Sequence, residues 1–536
     1  MADPVFKPYA PTQATFLPPS LDQLIGADHQ VRFINHVIEQ MDITEIMETY
    51  EGGGTSSYHP RMLLKILIYG HVQRIYSCRR LAKATRENIG FMWLSGGQRP
   101  DFRTINNFRK QRLPEGGGKA IFTQVMLVLV EHGLVDLTEY TVDGTTLEAN
   151  ASKHSAVWAK NAERYRHKAV ERIAALFDEI QRLADLEDEQ YGARDLAETG
   201  QEADWDSADI EAAAERVSGA LREQASQQSV EEQSLSKAAT RLRWITDREL
   251  PKLKKYERQQ QTLADRNSYS RTDPDATFMR LKDQSPFDKV LSPAYNLQMG
   301  TQNQFILGYS LHSNAADKVN LRAHLGQLSF TPEWLCADAG YGSLANYELL
   351  AQRDIEAVVK FPGYDRKPAP YSRDSFEREA GTDTYRCPEG RTMRYKESAP
   401  YEYGQGQTTP ARTYQCEDCR DCPVKADCTY GNGNRTITFN NALEAFKRNI
   451  RHKLTRNSTP KALMGGRGAE IEAVFGQLKH NDRMRRLPMR GKKMAELEVG
   501  LKAIAHNLRK MEKIVKTRFV SAVKNRMGVN AYGMAA

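Results

Sequence analysis

Along this chain the spacing of apolar residues changes period several times. Residues 1–20 are proline-rich, show no period and read as extended chain. From 21 to 112 apolar positions follow a helical period with short breaks. "MLLKILIYGHVQRIY" (62–76) reads as a buried helix, and "CRRLAKATRENIGFMWL" (78–94) as the next. The breaker "SGGQRPD" (95–101) then leads to "FRTINNFRKQRL" (102–113). A helix, a turn and a short basic helix match the profile of a helix-turn-helix reader of DNA, with Arg103, Arg109 and Lys110 as candidate contacts. An ordinary helical domain with a solvated last helix fits the same pattern.

"GGG" (116–118) breaks the chain, and a helix at 121–134 leads into "EYTVDGTTLEAN" (139–150). Residues 155–265 read as two arms of a charged helical hairpin around an acidic, solvated stretch at 183–210. From 288 the period shortens. "AYNLQMGTQ" (294–302) and "QFILGYSLH" (304–312) read as a strand hairpin. A helix near 319–328, the strand "EWLCADAGY" (333–341), a helix near 344–352 and the strand "EAVVKF" (356–361) follow. With "YTVD" as first strand, this is the order of an RNase H-like α/β core with a large helical insertion after strand one. Residues 363–440 read as irregular and carry most of the cysteines, and 441–516 return to helix.

The expected division is therefore a helical N-terminal DNA-binding domain (1–115), the start of the core (116–154) and a helical hairpin insertion (155–270). The core continues over 271–362, a Cys-rich insertion follows (363–440), then C-terminal core helices (441–516) and a basic tail (517–536).

Two carboxylates stand at expected strand ends. Asp143 closes "YTVD" before Gly144, and Asp338 closes "WLCAD" before Ala339. Asp-Gly is a common turn pair, so either one alone reads as a turn. Two together, at the ends of neighbouring apolar strands, read as a site for a hard cation such as Mg²⁺. Such a site needs a third carboxylate from a helix beside the sheet. In "AEIEAVFGQLK" (469–479), Ile471, Val474, Phe475 and Leu478 form a buried stripe flanked by Glu470 and Glu472. On a regular helix Gly476, Lys479 and Arg483 share the face of Glu472, a basic stripe suited to holding phosphate. That spacing selects Glu472 and leaves Glu470 as a solvated flank or a neighbour of Arg467.

Charge sharpens this picture. The chain has 536 residues and a net charge of +8. Residues 441–536 hold 22 Lys+Arg and 7 Asp+Glu, a net of +15, which leaves −7 for the rest. A basic C-terminal block on an acidic remainder points to a polyanion partner. Mean hydropathy is −0.63. No run reaches the ~18 apolar residues of a membrane helix, and the start lacks the pattern of a signal peptide, so a cytoplasmic protein with no membrane partner is expected.

At this point the sequence resembles the bacterial insertion-sequence transposases with a DDE triad on an RNase H-like fold. The likeness rests on "TVDGTTLEANASKHSAVW", "CADAGYGS", "IEAVFGQLKHNDRMRRLPMRG" and, toward the N-terminus, "SYHPRMLLKILIYG" with "SCRRLAKATRENIGFMWLSGGQRPDFRTINNFR". The resemblance implies that Asp143, Asp338 and Glu472 bind two Mg²⁺ and that Lys479 and Arg467 contact DNA phosphates. In related groups the signature is Tyr-x2-Arg-x3-Glu-x6-Lys. Here Glu472-x6-Lys479 fits, Arg467 stands one residue too far away, and Met464 replaces the Tyr.

Of seven cysteines, Cys78 and Cys336 read as core. Cys387, Cys416, Cys419, Cys422 and Cys428 cluster, and Cys-x2-Cys-x2-Cys-x5-Cys suits a structural Zn²⁺ in a reducing compartment. Free thiols and an iron–sulfur cluster are the alternatives, and five candidates for four positions do not name the ligands.

The expected function is metal-dependent DNA cleavage and strand transfer at the element's terminal inverted repeats. Arg483, Arg485 and Arg486 would hold phosphates of terminal and target double-stranded DNA, and a homodimer would act at the nucleoid. A hydrolytic nuclease without strand transfer, and a non-catalytic DNA-binding relic, are the rival readings.

Overall fold

The computed structural model describes residues 19–50, 57–113, 117–184, 205–227, 232–282, 287, 290–379, 381–403 and 406–526. The proline-rich start, the acidic run from 185 to 204 and the last ten residues of the basic tail lie outside them.

The fold is mixed α/β with an RNase H-like sheet at its centre. Six strands build it: β1 (Glu139–Glu148), β2 (Thr277–Met279), β3 (Ser292–Gln302), β4 (Phe305–His312), β5 (Trp334–Ala337) and β6 (Glu356–Val359). β3 lies antiparallel to β1, while β5 lies parallel to β1, and β6 to β5. The other edge of β3 pairs with β2 and then β4. Every residue of β3 and β4 is buried, so both faces of the sheet are covered. One face packs Tyr295, Leu297 and Met299 on Ile471, Val474, Phe475 and Leu478 and on the C-terminal helix Lys492–Arg526. The opposite face packs Tyr140, Val142 and Leu335 on Leu321, Tyr347 and Leu350.

β1 differs from its expected length. It runs straight through Asp143 to Glu148, pairing Gly144 with Gln298 and Glu148 with Ala294. Gly144 is no turn. A Cβ there would lie 2.1 Å from Asp317 Oδ1, so the glycine makes room for a carboxylate on the neighbouring helix.

The N-terminal helices include Gln30–Glu39, Pro60–Val72, Cys78–Glu87, Ile89–Leu94 and Phe102–Asn107. The single helix expected over 78–94 is two, because Asn88 leaves helical geometry and its side chain accepts from the amides of Gly90 and Phe91. Asp101 caps the helix that follows, accepting from Thr104 N at 2.7 Å. The insertion after β1 contains Ala159–Ala184, Ser207–Gln227, Glu232–Trp244 and Leu250–Leu263, with a core of its own around Ile173, Ile210, Ile245 and Leu253.

The region expected to be irregular is a five-stranded antiparallel sheet, Glu377–Arg378, Thr384–Arg386, Thr392–Tyr403, Gln407–Cys416 and Thr436–Asn440. In Thr392–Tyr403 one residue of twelve is buried, so the strand carries almost no apolar alternation to read.

Candidate active site

β1 and β5 pair in parallel register, Glu139 with Trp334 and Thr141 with Cys336, and the pairing stops there. Carried two residues further, the same register sets Asp143 level with Asp338. The two strands part at this point, and the opening between them is where ligands sit outside parallel strand ends. Asp338 is held by its own turn, its Oδ1 accepting from Gly340 N at 2.9 Å. Asp143 Oδ1 accepts from Gly144 N at 2.7 Å. Burial lifts the Asp143 pKa above its ordinary value, and the nearby Asp338 charge adds to that. Lys282, the Gly144 amide and Arg467 act against it.

The alternation of β1 turns Asp143 to the sheet face covered by the helix Ser458–Asn481. This helix is continuous but not uniform. Ser458–Arg467 is α, Gly468–Glu472 is a π turn, Ala473–Gly476 is α and Gln477–Asn481 is a second π turn. At about 100° per residue, a regular helix would swing Arg467 away from Glu472. The π turn takes up one extra residue, so positions five apart stand one above the other. Arg467 therefore reaches both acids: Nη1 lies 3.3 Å from Asp143 Oδ2 and Nη2 lies 3.6 Å from Glu472 Oε1. Glu472 is 64% exposed and Arg467 19%.

The structure thus brings Asp143, Glu472 and Arg467 together, with Asp338 beside them. Among the described residues, no three His, Cys, Asp or Glu side chains already form a ligand set for a metal. Glu470 is half-buried and tied down on one side. Its carboxylate accepts from the backbone amide of Gln304 in the β3–β4 turn. The same turn donates to the Ala469 carbonyl through Gln304 Nε2 at 3.0 Å.

The expected basic stripe is rearranged. Lys479 is 6% exposed, its position shifted by the second π turn. The helix ends at Asn481, and Arg483 lies beyond it with φ +54°. Arg485 is exposed and donates to His480 Nδ1 at 3.0 Å. Arg486 is also exposed, 3.9 Å from Glu148. This segment docks on the end of β1: Glu148 N donates to Arg485 O, and Leu487 N to Glu148 O. In the N-terminal region Arg103 and Lys110 are exposed. Arg109 is 8% exposed, 3.9 Å from the buried Glu498, and donates to the Tyr76 carbonyl.

Sequence reasoning missed a cation on the far face of the sheet. Lys282 Nζ donates to the Gly144 carbonyl at 2.6 Å and pairs with Asp317 at 3.0 Å. Asp317 Oδ1 in turn accepts from Asn296 and Gln298 at 2.7 and 2.9 Å. The signal was Gly144 itself, which the sequence placed just past the end of the strand and not within it.

In the Cys-rich sheet, Cys387, Cys416, Cys419, Cys422 and Cys428 line one cavity of about 20 Å³. Cys387 Sγ accepts from Arg391 N at 3.2 Å and Cys419 Sγ from Arg435 N at 3.4 Å. Cys416 instead donates to the Asp418 carbonyl at 3.6 Å, and burial pushes its pKa up to about 12.

Two family models match the chain. A transposase domain (DUF772) covers residues 19–111, the N-terminal helices, and a transposase DDE domain covers 386–512, from the Cys-rich sheet through the glutamate helix. The two matches, in this order along the chain, support an insertion-sequence DDE transposase. The transposase presents Asp143 and Asp338 upstream of the DDE-domain match and Glu472 within it. Neither a curated protein nor a solved structure matches the transposase. Among its described residues no helix is long and apolar enough to cross a membrane.

Proposed function

We propose that this transposase binds the ends of its insertion sequence, cuts DNA there and joins the cut ends to target DNA. Asp143, Asp338 and Glu472 would hold two Mg²⁺. The observation that carries the reading is the β1–β5 register, which stops at Thr141 and Cys336 and, extended by two residues, sets Asp143 level with Asp338. The donors fit: all are carboxylate oxygens, as Mg²⁺ prefers, and a guanidinium already lies between two of them. Divalent metal bound there would supply Lewis acidity, activating the attacking oxygen and stabilising the leaving one.

The protein's own part is positioning and charge. Arg483, Arg485 and Arg486 grip phosphates beside the end of β1 and lay the scissile phosphodiester across the carboxylates. Arg103 and Lys110 contact the element ends from the N-terminal helices, while Arg109 supports that region from inside. Lys479 steadies the helix that carries Glu472. In cleavage, water adds to phosphorus and the 3′ oxygen leaves as a hydroxyl. In joining, that hydroxyl attacks a target phosphodiester, forming one P–O bond as another breaks. Two ends must be joined, so the working form is a homodimer on DNA, acting at the bacterial nucleoid.

The Cys-rich sheet has a small core, and we assign it a structural Zn²⁺. Cys387, Cys419, Cys422 and Cys428 are the ligands of choice, because the Cys416 thiol is turned to a carbonyl.

The test is strand transfer from pre-cleaved element ends into a target plasmid with Mg²⁺. Wild type should give joined products, Glu472→Ala none, and Glu470→Ala some. Cleavage without joined products would favour a hydrolytic nuclease. Tight end binding with no Mg²⁺-dependent cutting would favour a DNA-binding relic.

A further inference from the structure

Arg467 makes an unusual pair of contacts. One planar cation faces two carboxylates, giving each a single nitrogen, at 3.3 and 3.6 Å. Charge-assisted N–H···O bonds are normally about 2.7–2.9 Å, so both contacts are long, and the second exceeds hydrogen-bonding range. The guanidinium cannot lose its proton, so its charge is permanent. The Asp143 side chain is largely buried, and its Oδ2 faces Arg467. The other cation near it, Lys282, is committed to Asp317 and to the Gly144 carbonyl.

We propose that Arg467 is a place-holding cation, which occupies the Asp143 and Glu472 oxygens in the metal-free protein and exchanges with the divalent metal. This rests on the active-site reading above. The π turn is what makes it work, because it brings Arg467 onto the side of Glu472 without tying it to either acid in close, forked geometry. A loose pair bridges the two carboxylates and yields when two positive charges arrive in place of one. Guanidinium and metal cannot share the same oxygens, so each weakens the other's hold.

The experiment is Mn²⁺ binding to the full chain without DNA, followed by electron paramagnetic resonance. Wild type is compared with Arg467→Gln, Arg467→Lys, Asp143→Asn and Glu472→Gln. Removing the competing charge should tighten Mn²⁺ binding by roughly five- to tenfold in Arg467→Gln, as expected for one charge a few ångströms from a dication in a partly wet site. Arg467→Lys should stay near wild type. Equal or weaker binding by Arg467→Gln would overturn the exchange and leave Arg467 as a support for Glu472. Wild type gives a second measurement that needs no variant. Mg²⁺ should raise labelling of Arg467 by phenylglyoxal, read by peptide mass, and unchanged labelling also overturns the proposal. If Asp143→Asn and Glu472→Gln bind Mn²⁺ as wild type does, the metal-site reading itself has failed.

Discussion

Arg467 and Glu472 are five positions apart and lie on the same side of their helix, because the turn between them is π and not α. The extra residue that puts the sequence out of step with the Arg-x3-Glu signature is absorbed by that turn. Moving the arginine to the regular spacing should therefore harm the protein. The double exchange Arg467→Gly with Gly468→Arg is expected to lower strand transfer at least tenfold while the fold survives, since position 468 faces differently once the turn is wide. Circular dichroism and the strand-transfer assay check this together.

The two glutamates of this helix should separate by phenotype. Glu470→Gln weakens the tie to the Gln304 amide, in a turn where Asn303 and Gln304 both have positive φ. The expected loss is about 1–2 kcal/mol of stability, with chemistry retained. Glu472→Gln touches an exposed side chain, so the melting temperature should hold while activity disappears. Denaturant titration beside the cleavage assay tells the two apart.

Asp143 links stability to pH. Burial raises its folded pKa above the ordinary 3.8, so the folded protein carries a cost once this group ionises. Stability from this group is fully present below 3.8 and is lost as pH rises through the folded value. Asp143→Asn removes the cost. Without metal, the variant is expected to melt above wild type at neutral pH, and the gap should close as pH falls toward 3.8. Calorimetry across that range is the measurement.

Buried histidines act in the opposite direction. Burial lowers His312 and His506 from 6.5 to about 4. A depressed histidine pKa gives stability above 6.5 that is lost as pH falls toward 4. His312→Gln should flatten the acid limb of the stability curve in that window, as read by melting temperature against pH.

Removal of the proposed zinc should loosen the Cys-rich sheet. Purified protein is expected to contain about one equivalent, as four-thiolate structural sites do. Cys419→Ser should lose it and become protease-sensitive between residues 363 and 440, whereas Cys416→Ser should keep it. Metal analysis by mass spectrometry with limited proteolysis decides.

The sequence was most legible where burial is one-sided. Ile471, Val474, Phe475 and Leu478 are all buried, as their period predicts. β3 and β4, buried on both faces, were read as continuous runs, while the short strand Thr277–Met279 was not read at all. Legibility failed where local chemistry had two meanings. Gly144 looked like the residue after a strand end, but its reason is Asp317, more than a hundred residues away. The sheet over 377–440 carried too little buried surface to impose a pattern. The π turns were invisible because periodicity assumes a constant rise of angle, and they hid both the reach of Arg467 and the burial of Lys479.

Asp482 caps the C-terminal end of the glutamate helix, and that residue is held from opposite ends of the chain. Arg74 reaches it at 3.1 Å from the N-terminal region, and Arg509 pairs with it from the C-terminal helix. During synthesis Asp143 and Asp338 can settle into the sheet long before residue 509 leaves the ribosome. The helix bearing Glu472 cannot be fastened until then. A chain that stops short of residue 509 thus has both strand-end aspartates but lacks the arginine that fastens the glutamate helix from the C-terminal side, so the proposed centre is complete only when nearly the whole polypeptide has been made.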